Sequence, residues 1–172
     1  PNYADISTAD GAEALVQTAV SEFGKLDIMV NNAGILRDKT IMKMTDDDWD
    51  MVQKVHARGT FLGTRAAAQV MRPQLQGVII NTTSTSGLIG NFGQGNYGFA
   101  KAGMYGFTKI AAVELGRYGI RVHAVSPNAW TRMTSDLPGL QGITEEMLSP
   151  QATAILVVYL ASDLAKDLNG RV

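Results

Sequence analysis

Three short apolar runs, separated by long helix-patterned stretches, constrain this chain more than any other feature. They are Leu26-Asp27-Ile28-Met29-Val30, Val78-Ile79-Ile80-Asn81-Thr82-Thr83 and Ile120-Arg121-Val122-His123-Ala124-Val125. Runs of this length and character read as strands buried in a sheet. Asp10 to Phe23 carries Ala14, Leu15, Ala19, Val20 and Phe23 at helical spacing, and Gly24 closes it. A long helix is predicted from about Asp46 to Met71. Thr45 is its N-cap, Asp46, Asp47 and Asp48 suit its positive end, and Pro73 stops it. Asn96 to Gly116 and Ala152 to Ala161 read as further helices, and Gly170 begins a turn. Strand and helix in alternation predict an α/β protein with a parallel sheet.

The 172 residues suffice for one domain with a real core, and 45% hydrophobic content fits that. A net charge of −1 leaves no electrostatic footprint for nucleic acid. With no cysteine, disulfides, thiolate metal sites and cysteine nucleophiles are excluded. His56 and His123 are too few and too scattered for a metal site, so no metal is expected. Neither a signal peptide nor a membrane-length apolar run is visible. The expected location is cytoplasmic, or a matrix-type compartment.

Chemistry concentrates around Tyr97-Gly98-Phe99-Ala100-Lys101. Residues four apart share a helix face. A phenol with a pKa near ~10 is a poor acid or base at neutral pH. An ammonium ~5 Å away interacts with it by roughly 3 kcal/mol at an effective dielectric of ~20, or about two pKa units. On that basis Tyr97 is expected to titrate near ~8, a useful value for moving a proton to or from an alcohol. Ser84 stands at the carboxyl end of the second strand, where open parallel sheets place their ligands. Asn31-Asn32-Ala33-Gly34 follows the first strand with small and amide residues that let a flat ligand approach the backbone.

Asn31-Asn32-Ala33-Gly34, Ser84 thirteen residues before Tyr97, and Tyr97-x-x-x-Lys101 resemble the short-chain dehydrogenase/reductase family. The resemblance spans nearly the whole chain. Gly34-Ile35-Leu36-Arg37-Asp38, Trp49-Asp50, Val55-His56-Ala57-Arg58-Gly59, Gly90-Asn91-Phe92-Gly93-Gln94 and Pro127-Asn128-Ala129 narrow it. They look like the (3R)-hydroxyacyl-CoA dehydrogenase part of peroxisomal multifunctional proteins and its bacterial relatives.

That resemblance implies a doubly wound, Rossmann-type parallel sheet and an oxidoreductase moving a hydride between NAD or NADP and a secondary alcohol or ketone. Tyr97 would be the general acid/base. Lys101 would lower its pKa and hold the nicotinamide ribose, and Ser84 would position the substrate oxygen. Asn32, Ala33 and Gly34 would line the cofactor, and Asp5 and Ile6 would meet the adenine. Pro127-Asn128 stands where the family has Pro-Gly beside the nicotinamide, with Thr131 as a candidate carboxamide partner. His56 replaces the family's common Asn, which supports a proton relay to the Lys. It is either a side-chain catalyst or a packed helix histidine. Met42, Met44 and Met51 either line an acyl channel or, for at least two of them, fill the core. Trp130 is a candidate substrate contact.

Residues 1–172 are read as a single partial domain, with 131–149 a substrate lid or loop. Gly93-Gln94-Gly95-Asn96-Tyr97-Gly98 matches the dinucleotide fingerprint G-x-G-x-x-G formally, but strand 78–83 ends too early to feed it. The family's glycine turn lies well before Asn31, so the N-terminal and C-terminal parts of the fold are expected outside this chain. The strand at 26–30 then presents an unpaired apolar edge. The partners implied are a small-molecule substrate and a homodimer or homotetramer, with no nucleic acid and no membrane. Two alternatives stand beside the main reading. One is a 3-oxoacyl-[acyl-carrier-protein] reductase using the same triad. The other, of a different class, is a non-catalytic fragment or scaffold.

Overall fold

The computed structural model describes residues 1–131 and 146–172. Three parallel strands lie in the order β1 (Ile28–Asn31), β2 (Gly77–Thr82), β3 (Ile120–Val125). Met29, Ile79 and Val122 stand in one row across the sheet. The helices are α1 (Ala9–Phe23), α2 (Asp46–Gln53), α3 (Gly59–Gln74), the short α4 (Ser86–Ile89), α5 (Gly95–Gly116) and α6 (Pro150–Ala161).

Alternation along each strand decides which helix covers which face. Met29, Ile79, Ile120 and Val122 pack with Ala67 and Met71 of α3 and Ala111 and Ala112 of α5. Val78, Ile80 and Val125 turn the other way, onto Leu160 of α6. Both faces of β2 and β3 are therefore covered, as their apolar runs require, while Ile28 and Val30 of β1 stay open on the α6 side. α1 packs on α3.

Local chemistry sets the helix ends. Thr8 Oγ1 accepts the Gly11 amide at 3.1 Å, and α1 closes at Gly24 in the left-handed region, φ 77°. Thr45 and Asp48 form a reciprocal capping box at the start of α2. Two expectations are corrected. Pro73 does not stop its helix. It sits in the last turn, where it removes only one amide, and the chain leaves at Leu75 with φ 54°. Nor is the 46–74 stretch one regular helix: Lys54–Arg58 forms a π turn between α2 and α3.

Among the described residues β1 pairs only with β2, and Ile28 and Val30 are 45% and 43% exposed. The apolar edge expected there is present. At the opposite side the Gly170 amide donates to the Val122 carbonyl at 3.0 Å, and the Ala124 amide to Arg171 at 2.9 Å. Backbone pairing beyond β3 thus begins within this chain.

Candidate active site

β2 carries Thr82 at its carboxyl end, with Thr83 and Ser84 just beyond. α4 follows, and α5 then places Tyr97 and Lys101 on its first turns. Lys101 is 3% exposed, and its Nζ donates to the Thr82 carbonyl. Thr83 Oγ1 donates to the Lys101 carbonyl at 2.7 Å, tying the strand end to the helix from both sides. Lys101 Nζ lies 5.4 Å from the centroid of the Tyr97 ring. The Ser84 side chain hydrogen-bonds Tyr97, while Ser84 Oγ accepts the Ser86 amide at 3.2 Å. The amide occupies a lone pair, so the Ser84 proton is left for the Tyr97 oxygen or a substrate oxygen. Ser84, Tyr97 and Lys101 thus converge at the carboxyl edge of the sheet.

The titration behaviour differs from expectation. Tyr97 was expected near ~8, an ammonium at ~5 Å supplying the shift. Instead burial disfavours the phenolate and raises the pKa, and the Asp38 carboxylate raises it further. The Ser84 bond acts the other way, without reversing the balance. Lys101 is itself desolvated, which brings its pKa down to about 8, and its ammonium is turned to the Thr82 carbonyl. Desolvation therefore outweighs the pair interaction, and Tyr97 holds its proton at neutral pH.

His56 sits in the π turn and is 2% exposed. Its Nε2 lies 3.0 Å from the Ile35 amide and 2.8 Å from the Ile35 carbonyl. Its Nδ1 is buried without a partner among the described residues. The ring meets Tyr97 edge-on, centroids 5.2 Å apart. Burial first, then the Lys101 charge, lowers its pKa to about 4, so it is a neutral packed ring and no acid at neutral pH. Gly34 is dictated by this ring. A Cβ there would lie 2.4 Å from His56 Cε1. Gly34→Ala is expected to cost about 2 kcal/mol by overpacking, read as an earlier urea midpoint. An unchanged midpoint would show that the ring yields freely.

Asn32, Ala33 and Gly34 lie exposed at the carboxyl end of β1, and Thr82 Oγ1 donates to Asn32 Oδ1 at 3.0 Å. A cleft beside them is lined by Ile6, Asn32, Ala33, Val55, Gly59 and Thr60. Pro127 and Asn128 follow β3 at the same edge. An open backbone platform beside a buried ammonium and a phenol fits the nicotinamide-ribose end of NAD or NADP. Asp5 is engaged locally: its carboxylate accepts the Ser7 hydroxyl at 2.6 Å and amide at 2.9 Å, which hold its pKa below the usual range. Of the lid expected at 131–149, residues 132–145 lie outside the described residues, while the Trp130 amide donates to the Leu148 carbonyl at 2.7 Å.

The methionine expectation fails as core filler. Met42 is 96% exposed, and Met44 and Met51 are only part-buried. The short 3-10 turn Ile41–Lys43 keeps this segment outside the sheet's two cores. The formal fingerprint at 93–98 is no phosphate cradle, because α4 intervenes between β2 and α5. Gly93, at φ 76°, instead offers its carbonyl to the Lys39 amide at 2.8 Å.

Two residues were not legible in advance. Asn96 is fully buried; its Nδ2 donates to the Arg37 and Asp48 carbonyls, both at 2.9 Å, and its Oδ1 accepts the Tyr97 amide at 2.7 Å. Gln94, 5% exposed, bonds Asp38, Ser86 and Asn91 through its side chain. In the sequence Gln94 stands as the last residue of the Gly90-Asn91-Phe92-Gly93-Gln94 motif, with no role attached, and Asn96 as an amide just ahead of Tyr97.

Comparison with known proteins shows the family and the fold. The family model described as Enoyl-(Acyl carrier protein) reductase matches residues 3–172. A Saccharomyces cerevisiae protein named peroxisomal hydratase-dehydrogenase-epimerase is 44% identical over 171 residues, 99% of this chain and 19% of that protein. Mycobacterium tuberculosis hydroxyacyl-CoA dehydrogenase ChsB1 is 43% identical, over 98% of this chain and 56% of its own length. A crystal structure of a short chain dehydrogenase from Mycobacterium avium superposes with a TM-score of 0.83 at 42% identity, covering 98% of this chain and 60% of that one. The chain thus spans about a fifth of the length of the yeast relative and just over half that of the mycobacterial one.

Proposed function

This chain belongs to the short-chain dehydrogenase/reductase family, and from that premise we propose that it is the catalytic portion of an enzyme exchanging a hydride between NAD or NADP and a secondary alcohol or ketone, with a (3R)-hydroxyacyl-CoA as substrate. The observation that carries the reading is the convergence of the Ser84 and Tyr97 hydroxyls beside buried Lys101 at the carboxyl edge of β2. The nicotinamide supplies or accepts the hydride. Asn32, Ala33, Gly34, Pro127 and Asn128 would line its place, Tyr97 and Lys101 would hold its ribose, and Asp5 and Ile6 would meet the adenine.

Two hydroxyls aimed at one point suit a single substrate oxygen. Ser84 donates its proton to that oxygen, and Tyr97 transfers one. Because Tyr97 holds its proton at neutral pH, the site stands ready as an acid toward a ketone oxygen. It must release that proton before acting as a base toward an alcohol. Alcohol oxidation therefore quickens as pH rises. Lys101 holds positive charge at the site below about pH 8 and so favours the phenolate once formed. His56 is too weak a base to share this proton and serves to pack Tyr97 and hold Ile35.

The substrate assignment draws on the relatives named as hydroxyacyl-CoA dehydrogenase and peroxisomal multifunctional proteins. A steroid-like alcohol is the second substrate class. A cytoplasmic or matrix-type location goes with it; among the described residues no helix is long and apolar enough to cross a membrane. The assembly proposed is a homodimer or homotetramer through α3 and α5, whose outer faces carry exposed Phe61, Ile110 and Val113. The test is a panel of (3R)- and (3S)-hydroxyacyl-CoA, acyl-carrier-protein thioesters and hydroxysteroids with the whole protein. We expect kcat/KM highest for the (3R)-CoA series. A preference for the carrier-protein thioester would move the assignment to a 3-oxoacyl-[acyl-carrier-protein] reductase.

A further inference from the structure

We infer that Gln94 and Asp38 are positioning residues of this site, fixing the Ser84 turn against the start of α5 through a hydrogen-bonded knot. The inference rests on the acid/base reading of Tyr97. Gln94 joins three segments that are distant in sequence. Its Nε2 donates to Asp38 Oδ2 at 2.8 Å, on the loop after β1. Its Oε1 accepts the Ser86 hydroxyl at 2.7 Å and the Asn91 amide group at 3.1 Å, on the segment after β2. Its backbone carbonyl accepts the Gly98 amide at 2.7 Å, in the first turn of α5. The knot reaches both reacting hydroxyls. Ser86 gives its backbone amide to Ser84 Oγ, and Gly98 is the residue after Tyr97.

Gln94 is buried with the oxygen and nitrogen of its amide both bonded, so an apolar replacement unties three segments at once and costs the part-buried Ser86 hydroxyl its acceptor. Asp38, by contrast, is exposed. Neighbouring Arg37 does not neutralise it, being paired with Asp47 at 2.6 Å and Asp48 at 3.8 Å. Among the described residues, the charged and titratable groups acting around Tyr97 are Lys101 from its own helix, His56 from the π turn and Asp38 from the loop. His56 is neutral near pH 7. Asp38 therefore opposes Lys101, and its carboxylate adds to burial, the larger cause, in favouring the protonated phenol. The one residue holds the Gln94 knot and supplies the counter-charge.

Two variants of the whole protein separate these roles. Asp38→Asn keeps an oxygen for Gln94 and removes the charge. Gln94→Leu removes the knot and keeps the charge. We expect Gln94→Leu to lower kcat by about 10-fold or more with a smaller change in KM, since ångström-scale misplacement costs this much. We expect Asp38→Asn to move the Tyr97 titration to lower pH. That is read as phenolate absorbance in difference against the same variant carrying Tyr97→Phe. The acid limb of alcohol oxidation should move with it. A purely structural role would leave that midpoint unchanged. If Gln94→Leu does not fold, as judged by circular dichroism, the Asp38→Asn titration alone decides. An Asp38→Asn midpoint equal to that of the parent, or parental kcat in folded Gln94→Leu, overturns the inference. Retained turnover in Tyr97→Phe would instead remove the acid/base reading on which it rests, and the absorbance titration still reports whether Asp38 acts on the phenol.

Discussion

Tyr97→Phe in the whole protein is expected to lose about three orders of magnitude in kcat while binding the nicotinamide cofactor nearly as tightly as the parent. The size is that of a deleted general acid/base. The substitution is clean because the ring's surroundings do not depend on the hydroxyl. The edge contact with His56 and the Lys101 ammonium 5.4 Å from the centroid both remain. Lys101 keeps its bond to the Thr82 carbonyl, so the ammonium stays in place. What is lost is one oxygen, the proton on it and the partner of Ser84. Fluorescence titration of the reduced cofactor alongside steady-state turnover makes the measurement. Turnover above about one tenth of the parent value would remove Tyr97 from the role.

Acid should destabilise this protein steeply between about pH 6.5 and 4. His56 and His123 are both buried, each with Nδ1 unpartnered among the described residues. Burial is the main cause in both, lowering each pKa from 6.5 to about 4. For His56 the Lys101 charge adds to it, and for His123 the Arg121 and Arg171 charges. The unfolded chain therefore binds more protons than the folded one between about pH 6.5 and 4. Stability rises with pH across that window and is lost as pH falls through it. By linkage each ring contributes up to about 3 kcal/mol to the loss. A thermal melt series from pH 7 to pH 4 should show a steep fall in Tm. His123→Leu, which puts an apolar side chain of similar size between β3 and α6, should flatten the fall. A Tm that holds steady to pH 4 would mean that the rings find partners when charged.

Much of this was readable before any coordinates, and the reasons are specific. The strands were legible because Val78-Ile79-Ile80 and the 120–125 run must be buried on both faces, which only a sheet between helix layers provides. The convergence of Ser84, Tyr97 and Lys101 was legible because four residues on a helix define one face and a strand end defines an edge. The Tyr97 titration was not, because it turns on desolvation, and burial belongs to the tertiary structure rather than to the spacing of Tyr and Lys. The roles of Gln94 and Asn96 are hidden in the sequence for a related reason. Surface and buried amides look alike in a sequence, and only the folded chain shows that these two are enclosed. Met42, Met44 and Met51 misled in the opposite sense, since apolar character alone does not say which residues the sheet will reach.

The π turn at Lys54–Arg58 acts as an insertion that the helix absorbs without breaking. One extra residue in a 3.6-residue repeat turns everything after it by about 100°. The 46–53 and 59–74 halves therefore run on separate helical wheels. The first is phased to set Gln53 against the Asn96 carbonyl, the second to bring Ala67 and Met71 onto the sheet. His56 reaches Ile35 only from the displaced turn between them. Removing any one residue from 54–58 would restore a smooth helix and throw one half out of phase with its neighbours. In aligning this chain with a relative one residue shorter here, the gap belongs inside 54–58, even where residue matching is better elsewhere.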